Sequence, residues 1–139
     1  MDLKQVAQTG IDMFNDRSFR QKAGQVVDAG VVVTDLPTGQ ELRGLDGYVQ
    51  YNEGYVAAMP DVKATTVEHK VSGNKVNSRV RGTGTFTGTL QTPQGAVPGN
   101  GRKLDLEYEL DQEFNDAGKM VRFTVKYDMP DFLRQLGIG

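Results

Sequence analysis

Apolar and polar side chains alternate along the second half of the chain, which is the pattern of strands with one buried face. In the clearest run, Lys119–Tyr127, every second residue from Val121 onward is apolar or aromatic. This strand is expected to end near Tyr127, because Pro130 donates no ladder hydrogen bond and restricts the residue before it. Three further runs alternate in the same way, and short turn-forming links predict a meander of mostly antiparallel strands over 62–71, 75–89 and 102–114.

The first 60 residues show helical spacing instead. Asp2 with Gln5 forms a capping-box pattern, and Asp46 is the candidate cap of a later helix. A brief strand is predicted at 31–34 and a mobile Pro/Gly-rich loop at 91–101. The pattern predicts three N-terminal helices, over 2–15, 18–30 and 44–59, and a short last helix over 131–136.

Helices first and a meander afterwards predict an α+β fold, with the helices packed on one face of a curved, mostly antiparallel sheet. The length of 139 residues suits one domain, spanning 1–139. The 16 basic and 18 acidic residues are interspersed, so no basic surface predicts a nucleic-acid partner. There is no Cys and only one His, which argues against thiolate chemistry and a zinc site. Neither a membrane-spanning run nor a signal-peptide layout occurs, so we expect a cytoplasmic protein without a membrane partner.

One predicted strand carries five acidic residues on a single face. Burying all of them as ions would be costly, so this face is expected to lie outside or between subunits. The interpretation that we favour is a lattice of cross-strand ion pairs, whereas a metal site is disfavoured because neighbouring cations compete for the carboxylates. The acids are Asp105, Glu107, Glu109, Asp111 and Glu113, and the cations are Arg79, Arg81, Arg122 and Lys126.

Other polar residues have simpler interpretations. His69 is expected to be a surface or packing residue, and a proton shuttle otherwise. The third helix carries an aromatic strip of Tyr48, Tyr51 and Tyr55. We expect these rings to pack in the core with their hydroxyls reaching the surface or a cavity. The other interpretation is that they stack on a flat ligand.

Several motifs occur in a characteristic order along the chain. They are Thr38–Gly44 with the helix after it, Arg79 followed by Gly84-Thr-Phe-Thr-Gly88, and Asp128 with Leu133-Arg-Gln-Leu-Gly137. Together they resemble the SnoaL-like polyketide cyclases of the nuclear transport factor 2-like superfamily. The resemblance spans nearly the whole chain and implies a cone-shaped α+β barrel with a cavity between helices and sheet.

In that family an Asp at the position resembling Asp128 acts as general acid/base in aldol ring closure, with no metal or organic cofactor. An apolar cavity raises the pKa of such a carboxylate and excludes water. The resemblance therefore implies an enzyme acting on a hydrophobic carbonyl compound. Strict alternation puts Asp128 on the outer face with Lys126, whereas the resemblance puts it in the cavity. We expect the cavity, because Pro130 already breaks the strand there.

Asp35 is the second candidate catalytic residue. The segment 32–37 is similar in placement to the one that carries the base in ketosteroid isomerase-like members, and the other interpretation is a turn residue before Pro37. The expected wall residues, which would contact a hydrophobic ligand, are Phe14, Tyr55, Phe86 and Phe123.

Two positions favour a rival function. Phe86 and Phe123 stand where the family commonly has His, which removes two proton-transfer groups. The rival is a non-catalytic small-molecule binding or assembly domain of the same fold. In either case the charged sheet face is expected to form a homodimer surface.

Overall fold

The computed structural model describes residues 2–92 and 94–138. None of the helices in these two stretches is long and apolar enough to cross a membrane. In chain order the elements are α1 (Leu3–Asp16), α2 (Phe19–Lys22), a 3-10 turn (Ala23–Gln25), β1 (Val27–Asp35), β2 (Gln40–Arg43), α3 (Gly44–Ala58), β3 (Lys63–Ser72), β4 (Lys75–Thr85), β5 (Thr89–Thr92), β6 (Gly95–Pro98), β7 (Lys103–Phe114), β8 (Met120–Lys126) and α4 (Met129–Leu136).

Six strands form one sheet in the order β2-β1-β8-β7-β4-β3, and β5 and β6 form a separate hairpin. Within the main sheet, only β1 and β8 pair in parallel. The sheet is therefore mostly antiparallel, as predicted. It is also curved, and helices pack against its apolar face. Helix α1 covers β3 and β4, α3 covers β1, and α4 covers β7. The concave space between these layers is where a cavity can form.

The predicted helix cap is confirmed at α1, whereas at α3 the helix begins at Gly44 as predicted but the predicted cap is wrong. The Asp2 side chain caps α1 by accepting a hydrogen bond from the Gln5 amide at 3.3 Å. At α3 the cap position is Arg43, which makes no side-chain cap bond, and Asp46 lies in the first turn instead. The unpredicted strand β2 leads straight into this helix through Gly44, whose φ of +78° turns the chain.

Two other predictions differ from the structure because pairing partners far along the chain decide the outcome. The second helix ends at Gln25, including its 3-10 turn, rather than at Gly30. Residues from Val27 onward instead join a nine-residue strand, because β1 is held between β2 and β8. The segment predicted as a loop contains most of the β5–β6 hairpin.

The acidic face of β7 is on the outside of the sheet, where its carboxylates pair with cations from neighbouring strands. Arg79 Nε lies 2.8 Å from Glu107 and Arg122 Nε 3.4 Å from Glu113. Further pairs join Arg81 to Asp105 and Lys126 to Asp111. Because these side chains are largely exposed to water, the pairs contribute little to the stability of the fold. Among residues 2–92 and 94–138, no three His, Asp or Glu side chains are arranged to hold a metal ion.

Candidate functional site

A cavity lies between α1, α3 and the apolar face of the sheet. Its volume is about 90 Å³, counted as the space open to the centre of a water molecule, which is room for more than one water. Phe14, Tyr55 and Phe123 line it, where the sequence placed them. Phe86 does not line it, and that expectation is wrong. Its ring is fully buried in a second core cluster, beside the β5–β6 hairpin and α4.

Asp128 lies outside the cavity, so the expectation that it points inward is wrong. It is exposed, and its Oδ1 accepts a hydrogen bond from the Asp131 amide at 3.1 Å. This contact makes Asp128 the N-cap of α4, with Pro130 in the first turn after it. The strand alternation continues to the end of β8 and decides the direction, since no bulge turns Asp128 inward. Its surroundings are the charged outer residues Arg79 and Lys126.

Asp35, by contrast, is buried, with 5% of its surface exposed. It is the last residue of β1, and its backbone oxygen accepts the turn hydrogen bond from the Gly39 amide at 2.8 Å. The side chain points inward, where Oδ2 accepts a hydrogen bond from the Tyr127 hydroxyl at 3.1 Å. Oδ1 is buried and makes no hydrogen bond within the described part of the chain. The backbone of Asp35 therefore stabilises the turn, and its carboxyl group accepts a hydrogen bond inside the fold.

Three tyrosine hydroxyls gather at this carboxyl group. Tyr51 and Tyr55, one helical turn apart on α3, share a hydrogen bond of 3.0 Å between their hydroxyls. They line the cavity together with Tyr127, and Asp35 lies behind them. The aromatic strip on α3 is thus part of the cavity wall.

Burial sets the protonation of this group. It raises the pKa of the Asp35 carboxyl above its usual range, and the hydroxyls of Tyr127, Thr38 and Tyr51 oppose that rise. Burial also raises the pKa of Tyr51, Tyr55 and Tyr127 far above that of an exposed tyrosine, with the Asp35 charge adding to the effect. The tyrosines therefore stay protonated as hydrogen-bond donors, while Asp35 is a stronger base than an exposed aspartate.

A second set of polar side chains forms a row of hydrogen bonds from β7 across β4 and β3 to α1. Gln112 on β7 lines the cavity and is only 3% exposed. Its Nε2 lies 2.9 Å from the hydroxyl of Ser78 on β4, and that hydroxyl lies 2.6 Å from Nδ1 of His69 on β3. His69 Nε2 lies 3.0 Å from Oε1 of Gln8 on α1. His69 is therefore a half-buried packing residue, and burial lowers the pKa of its imidazole.

Comparison with known proteins places this architecture. The family model described as SnoaL-like polyketide cyclase matches residues 4–136. The chain belongs to the SnoaL-like polyketide cyclase family. No curated protein matches the sequence.

Solved structures share the fold of this SnoaL-like chain at low sequence identity. A SnoaL-like polyketide cyclase from Agrobacterium tumefaciens is 22% identical, with 99% of each chain covered and a TM-score of 0.77. TsrD from Streptomyces laurentii is 18% identical over 99% of this chain and 98% of its own, with a TM-score of 0.81. A protein with a ketosteroid isomerase-like fold from Catenulispora acidiphila is 13% identical over 96% and 93%, with a TM-score of 0.78.

Sequence reasoning missed several polar residues in the cavity wall of this SnoaL-like chain, among them Tyr127 and Gln112. Tyr127 follows the inward-facing residues of β8 in the alternation, so its hydroxyl indicated a polar group in the cavity wall. Gln112 interrupts the inward apolar series of β7 between Leu110 and Phe114. A polar residue at a buried strand position needs a partner or a function, and this rule could have found both.

Proposed function

We propose that the cavity binds a hydrophobic carbonyl compound and moves a proton on it through Tyr127 and Asp35, as in cofactor-free aldol cyclisation. The observation that carries the proposal is the hydrogen bond from the Tyr127 hydroxyl, which belongs to a cavity-lining residue, to the buried Asp35 carboxyl group. Membership of the SnoaL-like polyketide cyclase family supports this class of reaction.

The position of Asp35 decides how the proton moves. Its carboxyl group lies behind the cavity wall, so a ligand meets the Tyr127 hydroxyl first. A tyrosine with a strongly raised pKa is a poor base by itself. It acts instead as a relay, taking a proton from the ligand while passing its own proton to Asp35 Oδ2. Because burial raises the pKa of Asp35, the carboxylate is well suited to receive that proton.

The proposed step balances without an added reagent. The C–H bond next to the ligand carbonyl breaks, and its electron pair forms an enolate. One O–H bond forms on Tyr127 as another breaks, and the proton ends on Asp35. The enolate carbon attacks a second carbonyl group of the same molecule, and the resulting alkoxide takes the proton back through Tyr127. Tyr51 and Tyr55 remain protonated and can donate to the enolate oxygen.

Two matched substitutions test the assignment. Asp35→Asn and Asp128→Asn make the same chemical change, one inside the fold and one outside it. With any carbonyl compound that wild type converts, Asp35→Asn is expected to lower kcat by about 100-fold or more, the typical weight of a positioned base. Asp128→Asn should keep near wild-type kcat, since Asn is also a good N-cap. The opposite result, with Asp128→Asn inactive and Asp35→Asn active, would reject the relay.

A non-catalytic binding function is the second candidate, and one observation favours it. The cavity wall is mainly apolar, and Phe123 stands where the family commonly has His. Few side chains in the wall can therefore exchange a proton with a ligand. A binding domain would hold hydrophobic ketones with micromolar affinity, return them unchanged, and show equal affinity in wild type and Asp35→Asn. Mass spectrometry of the ligand recovered after incubation separates the two functions.

A further inference from the structure

In the hydrogen-bond chain that ends at Gln112, each group donates to one neighbour and accepts from the other. This order fixes whether Gln112 presents a donor or an acceptor to the cavity. An amide side chain can present either its NH₂ group or its carbonyl oxygen. The partners along the chain decide which one, starting from the far end at the protein surface.

The starting point is the carboxylate of Asp12 on α1, which is an acceptor only. Gln8 Nε2 donates to Asp12 Oδ1 at 2.9 Å, so the nitrogen of the Gln8 amide faces Asp12. The Gln8 oxygen then faces the sheet, where the Thr66 hydroxyl also donates to it at 2.8 Å. His69 Nε2, at 3.0 Å from this oxygen, must therefore carry a hydrogen.

The direction passes through the imidazole of His69 on β3 to Ser78, its partner on β4. Burial lowers the pKa of His69 and favours the neutral ring, in which a hydrogen on Nε2 leaves Nδ1 as an acceptor. The Ser78 hydroxyl, which is fully buried, donates to Nδ1 at 2.6 Å. Its oxygen is then free to accept from Gln112 Nε2 at 2.9 Å. Every donor along the chain meets an acceptor.

Gln112 is therefore held with its nitrogen toward β4. A second, longer contact from Nε2 to the Val76 carbonyl oxygen, at 3.5 Å, holds it in the same direction. The carbonyl oxygen is at the opposite end of the planar amide, in a residue that lines the cavity. In the strand register Gln112 is opposite Phe123, whereas Asp35 is opposite Val125. Strand β8 thus lies between Asp35 on β1 and Gln112 on β7.

We propose that Gln112 is a specificity-determining residue that accepts a hydrogen bond from a hydroxyl or N–H group of the ligand, and that Ser78 and His69 are positioning residues that hold its amide in this orientation. The inference rests on the proposed function for the carbonyl compound and extends it. The ligand class becomes a hydrophobic ketone that carries a hydroxyl group at the end opposite the reacting carbonyl. A ligand with only an acceptor at that end would face the carbonyl oxygen of Gln112 and bind weakly.

The test uses three naphthalene probes that differ in one group, with binding measured by calorimetry at neutral pH. 2-Naphthol offers a donor, 2-methoxynaphthalene has none, and 2-acetylnaphthalene offers only an acceptor. Wild type is expected to bind 2-naphthol at least tenfold more tightly than 2-methoxynaphthalene. Gln112→Leu should abolish this preference, because the residue that accepts the hydrogen bond from 2-naphthol is gone. A preference that persists in Gln112→Leu, or no binding of any probe to wild type, would overturn the proposal.

The positioning residues are tested through a residue that does not line the cavity. In His69→Phe the Ser78 hydroxyl loses its acceptor and can donate to Gln112 instead, which turns the amide nitrogen toward the ligand. The ratio of 2-acetylnaphthalene to 2-naphthol affinity should then rise at least fivefold, and Ser78→Ala should raise it in the same direction. Loss of packing alone would weaken both probes together, and an unchanged ratio in His69→Phe would reject the positioning role.

The two proposals fail separately. Binding of these probes does not require turnover, so a lost donor preference leaves the relay through Tyr127 and Asp35 intact. Equally, full turnover in Asp35→Asn would reject the relay without changing the expected behaviour of Gln112→Leu.

Discussion

Asp35 and Asp128 are the same kind of residue at the same kind of position, each at a strand end, yet they have opposite surroundings. Asp35 is 5% exposed and accepts a hydrogen bond from a tyrosine hydroxyl. Asp128 is exposed and caps a helix. The difference follows from strand parity, because Asp35 continues the inward series of Val31 and Val33 on β1. At the scale of a residue, the direction in which each aspartate side chain points decides whether it is buried or exposed.

The buried carboxyl group makes stability depend on pH. Its folded-state pKa is raised above the unfolded value by burial, so the folded state binds a proton more readily than the unfolded state. The associated stability is present below the ordinary pKa of Asp and is lost as pH rises through the raised value. We therefore expect Asp35→Asn to melt a few degrees above wild type at pH 8, and the gain to shrink toward zero near pH 3.5.

Thermal unfolding from pH 3.5 to pH 8 checks this expectation, with Asp128→Asn as the control because its side chain is exposed. A melting temperature for Asp35→Asn at or below that of wild type at pH 8 would show that the carboxylate is stabilised by its partners rather than destabilised by burial.

At the scale of elements, the sequence predicted the helices and strands that follow from local periodicity. It missed the features that depend on pairing between distant parts of the chain. Helix α1 and the strands β4, β7 and β8 follow from periodicity, since their buried faces repeat every 3.6 or 2 residues. The length of β1 depends on β8, which is far along the chain. The cavity was expected, and alternation along β7 puts Gln112 on its wall, but the orientation of the Gln112 amide follows from a hydrogen-bond chain across four elements. A local pattern has no signal for such a chain.

The β5–β6 hairpin offers a test of element packing, because Gly88 joins it to the end of α3. The Gly88 amide donates to the Ala58 carbonyl oxygen at 2.9 Å, and a Cβ atom at Gly88 would lie 1.7 Å from the Ala57 carbonyl oxygen. Gly88→Ala must therefore separate the hairpin from α3, and we expect the free energy of unfolding to fall by at least about 2 kcal/mol.

Gly54→Ala is the matched control on the exposed side of α3, where a Cβ atom would meet nothing within 4 Å. Alanine favours the helix there, so stability should rise by roughly 0.5–1 kcal/mol. Urea unfolding of both variants measures the two changes. If Gly88→Ala were as stable as wild type, the close contact with α3 would be wrong.

At the scale of the whole molecule, the outer sheet face alternates acidic and basic side chains in rows across β4, β7 and β8. A second copy of the chain, rotated by half a turn, can place its cations against these acids. We therefore predict a homodimer through this face, weakened by salt because the charges are exposed. Sedimentation at micromolar concentration should show dimers in low salt and more monomer in 0.5 M salt.

Reversing the charge of Arg79, at the centre of this face, to Glu should favour the monomer. Arg43→Glu changes the same charge on β2, at the opposite edge of the sheet, and should leave the dimer intact. Monomers in both low and high salt for wild type would exclude this surface as a dimer contact.

The parallel pairing of β1 with β8 has a consequence for how the protein is made. The hydrogen bond between Tyr127 and Asp35 joins residues 92 positions apart. During translation, Asp35 leaves the ribosome long before Tyr127 has been added to the chain. A nascent or interrupted polypeptide that lacks the last strand and the residues after it thus carries most of the residues that line the cavity but not Tyr127. The proposed relay can therefore form only after the ribosome has added Tyr127.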